Sequence, residues 1–124
     1  SQIYVNTPIY ILTDCDIFGV LIACTYRLTF NENQRHRIRW LGLWPEEMIS
    51  FNNISQTLPI HDERERRMIT KFLQRTDVNE QWHRQVAFFE QYQRKMEIEA
   101  IYENGSKSLI QDYLHEKLIG HRWL

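Results

Sequence analysis

Ile9-Tyr10-Ile11-Leu12-Thr13 is a short, continuous apolar run rich in β-branched residues. That is the pattern of a parallel strand covered on both faces. In residues 18–29 the apolar positions Val20, Leu21, Ala23, Cys24 and Leu28 form one stripe, which predicts a helix. Asn31 to Arg37 is polar and reads as a loop, and Ile38-Arg39-Trp40-Leu41 reads as a second strand. Strand, helix and strand within about thirty residues make a βαβ unit with a right-handed crossover. Gly42 and Pro45 punctuate the next turn, and Pro45-Glu46-Glu47-Met48 starts a short helix with proline in its first turn. Residues 51–60, rich in Asn, Ser and Thr and carrying Pro59, read as a loop.

From Asp62 onward the periodicity is helical. A helix over 62–75 puts Met68, Ile69, Phe72 and Leu73 on one face. Asp77 with Glu80 three residues later reads as a capping-box variant opening the next helix. Trp82, Val86, Phe89, Met96 and Ala100 then continue as one helix that Gly105 closes. A last helix over 106–118 turns Leu109, Ile110, Tyr113, Leu114 and Leu118 inward. The expectation is an α/β fold: a βαβ unit over 9–45 with parallel strands, followed by C-terminal helices over 61–124.

Length and charge narrow the picture. The 124 residues suit one domain, and a hydrophobic share of 43% is ample for a core. The net charge of -1 gives no global basic field, so any nucleic-acid surface must be local. Cys15 and Cys24 form no C-x-x-C and read as buried thiols of a reducing compartment. No apolar run reaches the ~18 residues of a membrane span, and the N-terminus lacks the pattern of a signal peptide. The first strand looks central yet has only one evident strand downstream, so the chain reads as a fragment or a domain cut from a longer one.

The candidate chemistry lies where the first strand ends, at Thr13-Asp14-Cys15-Asp16-Ile17-Phe18-Gly19. Residues i and i+2 of a strand point to one side, so Asp14 and Asp16 can converge. In open α/β sheets ligands bind at the carboxyl ends of the strands. Two carboxylates there repel each other unless a cation sits between them, and a hard, oxygen-preferring ion such as Mg²⁺ suits them. The plainer alternative is a helix N-cap and a turn aspartate. Gly19 reads as a packing or turn glycine, since no P-loop accompanies it. The basic positions Arg64, Arg66, Arg67, Lys71 and Arg75 read as a solvated face paired with Glu63 and Glu65 before a DNA grip. Arg39 is a candidate DNA contact, whereas Trp40 and Trp44 read as core. Trp82, Phe88, Phe89 and Tyr92 read as core or an inter-protomer contact. His115-Glu116 followed by His121 misses the spacing of a zinc motif.

The order of these features resembles a known family. Asp14-Cys15-Asp16-Ile17-Phe18-Gly19 is similar to the D-x-D-P-x-G motif of the Toprim domain in the topoisomerase VI A protein. Arg39-Trp40-Leu41-Gly42-Leu43-Trp44-Pro45 resembles the R-W-L-G-L-x-P segment of its meiotic branch, the transesterases that make programmed double-strand breaks. Trp82-His83-Arg84, Met96 to Ile101 and Tyr113 to Leu118 look like that family's C-terminal helices. The resemblance implies a partial Toprim domain with Asp14 and Asp16 as Mg²⁺ ligands. It further implies type IIB cleavage, in an ATP-hydrolysing family, through a tyrosyl–DNA link. Its expected partners are duplex DNA, a second copy in a homodimer and a topoisomerase VI B-like subunit, with a nuclear location and no membrane. The family's third acid, a glutamate, and its nucleophilic tyrosine are expected upstream, so no residue here takes a catalytic role. Ile17 stands where the family usually has proline. Two other readings compete: a haloacid-dehalogenase-type phosphatase with Asp14 as nucleophile, and a non-catalytic Toprim-like module for dimerisation or partner binding.

Overall fold

The computed structural model describes residues 7–50, 57–102 and 112–124. Strand β1 (Ile9–Leu12) runs parallel to β2 (Ile38–Gly42), and α1 (Ile17–Thr29) connects them through a 3-10 helix (Glu32–Arg37). The expected βαβ unit is therefore present. The stretch that reads as a loop from Asn31 to Arg37 is instead helical, because its arginines tie it down locally. Arg35 Nε donates to Phe30 O at 3.2 Å, and Arg37 Nε donates to Thr7 O at 2.9 Å.

The register pairs Ile11 with Trp40 and then Leu12 with Gly42, so β2 bulges at Leu41. Gly42 makes the bulge possible with φ +152°, a conformation that disfavours any side chain. Thr13 N–H donates to Gly42 O at 2.7 Å and Leu43 N–H donates to Thr13 O at 2.9 Å, which carries the ladder past the end of β1.

The core is built on tryptophan. Trp40 on β2 stacks on Trp82 of α4 (Glu80–Tyr92), with ring centroids 4.9 Å apart. Each indole N–H on the β2 side is matched: Trp40 Nε1 donates to Thr13 Oγ1 at 3.2 Å, and Trp44 Nε1 donates to Trp40 O at 3.1 Å. Val20, Ala23, Cys24, Ile69, Phe72, Val86 and Phe89 fill the rest from α1, α3 (Glu63–Leu73) and α4. Both cysteines are buried free thiols, as the sequence suggests. The helix α2 (Pro45–Ser50) follows the bulge.

Two helix boundaries differ from expectation. The N-cap of α4 is Asn79, whose side chain accepts from Trp82 N–H at 3.2 Å. Asp77, expected as the cap, is held by Arg75 through contacts of 2.6 and 2.8 Å. The helix also does not run through Met96 and Ala100. It ends at Tyr92, where Gln93 takes the left-handed conformation with φ 53°. The chain then forms β4 (Arg94–Lys95), antiparallel to β3 (Leu58–Pro59) in the stretch that reads as a loop, before the short α5 (Glu99–Tyr102). Arg94 anchors the exchange, its Nε donating to Thr57 Oγ1 at 2.8 Å. Gly105, Leu109 and Ile110 lie outside the described residues.

The last described helix, α6 (His115–Ile119), inverts its expected face. Leu118, read as inward, is 42% exposed, while Lys117 is only 2% exposed. Lys117 Nζ lies 2.9 Å from Glu47 Oε2 and 3.1 Å from the centre of the Trp44 ring. Tyr113 completes the cluster, donating its hydroxyl hydrogen to Glu47 Oε1 at 2.6 Å. Glu47 Oε1 also accepts from Trp44 N–H at 2.8 Å. This buried cluster ties the C-terminal helix to the turn after β2, and a Cβ on Gly42 would strike the Tyr113 hydroxyl.

Burial pulls the Lys117 ammonium down to about 8, with the Glu47 charge opposing the fall. Burial, then the Glu47 charge, pushes the Tyr113 phenol far above its ordinary value. A tyrosine that stays neutral when folded but ionises when unfolded removes stability as pH rises past about 10. Tyr113→Phe should lose about 1–3 kcal/mol near neutral pH, for the hydrogen bond to buried Glu47. It should also flatten the loss of stability above that pH. Urea denaturation from neutral to alkaline pH checks both; a variant as alkali-sensitive as the wild type would contradict the assignment.

Candidate metal centre

Asp14 and Asp16 sit where β1 gives way to α1, and their local structure follows from short-range chemistry. Asp16 is the N-cap of α1, with extended backbone and Oδ1 accepting from Gly19 N–H at 2.7 Å. Gly19 is obligatory for packing. A Cβ there would collide with the Asp14 carbonyl oxygen and come within 2.8 Å of Thr13 Oγ1. The first turn of α1 is thereby pressed against the loop that carries both acids.

Asp14 is held from far along the chain. Its Oδ1 accepts from Ile98 N–H at 2.7 Å. Between the two acids, Cys15 pairs backbone to backbone with Met96, N–H to O at 2.8 Å in one direction and 3.0 Å in the other. The Cys15 thiol is buried, and burial followed by the charges of Glu47, Asp16 and Asp14 pushes it well up, so it stays protonated and inert. The loop therefore alternates: acid outward, thiol inward, acid outward.

Both carboxylates line one depression of about 250 Å³, with Thr13, Phe18, Gly19 and Ile22 among its walls. Each spends Oδ1 on a backbone N–H, and no described residue bonds either Oδ2. The two plain alternatives, N-cap and turn aspartate, are thus true of the Oδ1 atoms and leave the Oδ2 atoms without a partner among the described residues. Burial raises the Asp16 carboxyl above its usual range. The Gly19 N–H opposes this, the charges of Asp14 and Glu65 add to it, and Lys95 offsets part of it.

Glu65 and Lys95 are electrostatic neighbours that sequence reasoning missed. Glu65 is buried on α3 and Lys95 lies on β4, their side chains 2.9 Å apart. Glu65 reads in the sequence as part of a solvated charge run; only the return of the chain at β4 brings a lysine to it. Among the described residues no group of three or more His, Cys, Asp or Glu is placed to hold a metal. The donor chemistry fits a hard cation, two oxygen-only ligands in an open depression, but as an incomplete set.

Arg39, the expected DNA contact, does not line this depression. Its guanidinium donates to the Tyr10 hydroxyl at 2.9 Å and lies 4.5 Å from the centre of the Trp123 ring. The basic face of α3 behaves as read, in part: Arg66 faces Glu63 at 4.0 Å and donates to Ile60 O, while Arg75 turns to Asp77.

Residues 2–118 match the family model for the Toprim domain of the topoisomerase 6 A protein and Spo11. The chain belongs to that family. The parallel pair β1–β2 with its connecting helix is consistent with a Toprim-like α/β fold. This membership sets aside the haloacid-dehalogenase-type phosphatase. The chain is 27% identical over 128 residues to "Meiotic recombination protein SPO11" of Homo sapiens, covering 96% of this chain and 32% of that protein. It is 26% identical over 128 residues to the protein of the same name from Mus musculus, with the same coverage of 96% and 32%. It therefore spans about a third of the length of the curated relatives it matches.

The two roles of Asp16 are separable. Asparagine caps a helix as well as aspartate does, but carries no charge. Asp16→Asn should be at least as stable as the wild type at pH 7, because it keeps the cap and removes an ionised group that its surroundings disfavour. Asp16→Ala should lose about 1 kcal/mol with the cap. Thermal unfolding of the three proteins checks the order; an Asn variant as unstable as the Ala variant would deny that the charge is held against a cost.

Proposed function

We propose that this chain is the metal-holding Toprim portion, residues 1–124, of a longer DNA transesterase that initiates meiotic recombination by double-strand breakage. Its parts are a metal-binding βαβ unit over 9–45 and C-terminal helices over 61–124. The observation that carries the proposal is the pair Asp14 and Asp16. Each is oriented through Oδ1 by a backbone N–H, with Oδ2 bonded to no described residue, over a shared depression at the end of β1.

Asp14 and Asp16 would hold Mg²⁺ there. A divalent ion so placed neutralises phosphate charge and stabilises a leaving oxygen. The chain's own contribution is orientation and electrostatics. Ile98 N–H and Gly19 N–H fix the carboxylates before any ligand arrives, so little ordering is left for the moment of binding. The raised Asp16 carboxyl makes protons competitors of the cation, so affinity should fall as the solution is acidified. The third acid and the nucleophilic tyrosine come, in this reading, from the parent protein outside these residues. Duplex DNA, a topoisomerase VI B-like subunit, a second copy in a homodimer and a nuclear location complete the proposal. Arg39, braced by Tyr10 and Trp123, is retained as a DNA-phosphate contact.

A second reading rests on the same hydrogen bonds. Two aspartates that cap a helix and brace a loop serve a scaffold equally well, and the chain would then be a non-catalytic dimerisation or partner-binding module. Calorimetric titration of the parent protein with Mg²⁺ separates the two. Saturable binding that Asp14→Asn plus Asp16→Asn abolishes, with loss of Mg²⁺-dependent DNA cleavage, supports the catalytic reading. Wild-type binding and cleavage in that double variant would end the metal assignment, and no divalent binding by the wild type would favour the scaffold.

A further inference from the structure

A second cavity, of about 170 Å³, lies where the end of α1, the 3-10 helix and the start of α4 meet. Its walls include Cys24 and Arg27 of α1, Arg35 of the 3-10 helix, and Asp77, Asn79 and Trp82 at the head of α4. None of these residues belongs to the Asp14–Asp16 depression.

The cavity carries unanswered positive charge. The Arg27 guanidinium is half-buried, and its one hydrogen bond among the described residues is a long one, NH1 donating to Ile38 O at 3.5 Å. No carboxylate among the described residues pairs with it. Arg35 donates Nε to Phe30 O at 3.2 Å, and its acidic neighbour Glu32 is 3.9 Å away and 90% exposed, a contact of little strength in water. The two guanidiniums feel each other. Burial, and then the charge of Arg35, lowers the hold of Arg27 on its proton.

The other wall groups do not supply the missing anion. Asp77 is already engaged by both arms of Arg75, at 2.6 and 2.8 Å. The Cys24 thiol is raised by burial above all, so it remains neutral and does not repel a negative ligand. Trp82 is a wall residue, and its indole Nε1 is buried with no hydrogen-bond partner among the described residues. Asn79 and Trp82 belong to the N-terminal turn of α4, the positive end of a thirteen-residue helix.

We propose that this cavity is an anion site that takes a phosphate group between Arg27 and Arg35. Like charges brought together and unpaired are relieved by a counter-charge, and the planar fork of arginine matches the oxygen pairs of a tetrahedral oxyanion. The volume is that of several water molecules, enough for one phosphate and too little for a nucleotide. The shared chemistry is a phosphate group, presented either by free inorganic phosphate or by a nucleic-acid backbone.

The test titrates the full-length protein with inorganic phosphate, read by calorimetry and by the fluorescence of the tryptophans. Saturable binding that weakens roughly tenfold or more in Arg27→Gln and in Arg35→Gln is the expected result. Arg27→Lys, which keeps the charge and loses the fork, should retain an intermediate affinity and guards against loss of folding in the Gln variant. Asp14→Asn with Asp16→Asn should bind phosphate like the wild type, which keeps this site distinct from the proposed metal centre. A short DNA duplex that displaces phosphate from the wild type, but has no such effect in Arg27→Gln, identifies the backbone as the source; phosphate bound undisturbed by duplex identifies the free ion. No saturable phosphate binding by the folded wild type, or binding that survives both Gln substitutions, would overturn the proposal.

Discussion

The candidate centre depends on the return of the chain at Met96 to the loop that carries Asp14 and Asp16. Two backbone hydrogen bonds between Cys15 and Met96, and a third from Ile98 N–H to Asp14, close that loop from a segment about eighty residues away. Without them the acids would sit on a free connection between a strand and a helix. With them, Cys15 is driven inward and its two neighbours outward, in the alternation that puts both carboxylates over one depression. The closure has a cost of its own. Burial and the neighbouring Asp14 charge both disfavour the ionised form of the half-buried Asp16 carboxyl.

The same constraint explains the unusual course of the C-terminal half. Had α4 continued through Met96, as its apolar spacing allows, no backbone groups would remain to pair with Cys15. Gln93 in the left-handed conformation stops the helix and frees Arg94 to Met96 for strand-like bonding, first to β3 and then to the acid loop. Lys95 arrives at Glu65 through the same turn of events, and their ion pair sets part of the field that Asp16 experiences. One broken helix thus places a brace, a bridge and a charge pair around the candidate centre.

A second buried polar cluster lies at the same, carboxyl end of the two parallel strands, beside β2. Glu47, Tyr113 and Lys117 join α2 to the C-terminal helix beneath the bulge at Gly42. Removing one member of such a cluster strands the others without water, so its parts hold together or fail together. It sits close enough to the acid loop for the Glu47 charge to act on Cys15, which couples the packing of the C-terminal helix to the electrostatics of the centre.

The residues that the sequence alone determined are those governed by near neighbours. The apolar run of β1, the stripe of α1 and the tryptophan-bearing β2 specify a βαβ unit through periodicity, and Asp14-Cys15-Asp16 followed by Gly19 names the candidate acids and their helix through local capping and close packing. Tertiary structure decided what depends on partners distant along the chain: the end of α4 at Tyr92, the inward turn of Lys117 where a leucine was expected, the capture of Arg39 by Tyr10 and Trp123, and the bracing of Asp14 by Ile98. Spacing records which face of an element is apolar, but a backbone N–H carries no mark of the acceptor it will find. Nor does a lysine of the burial that only a carboxylate on another helix makes tolerable.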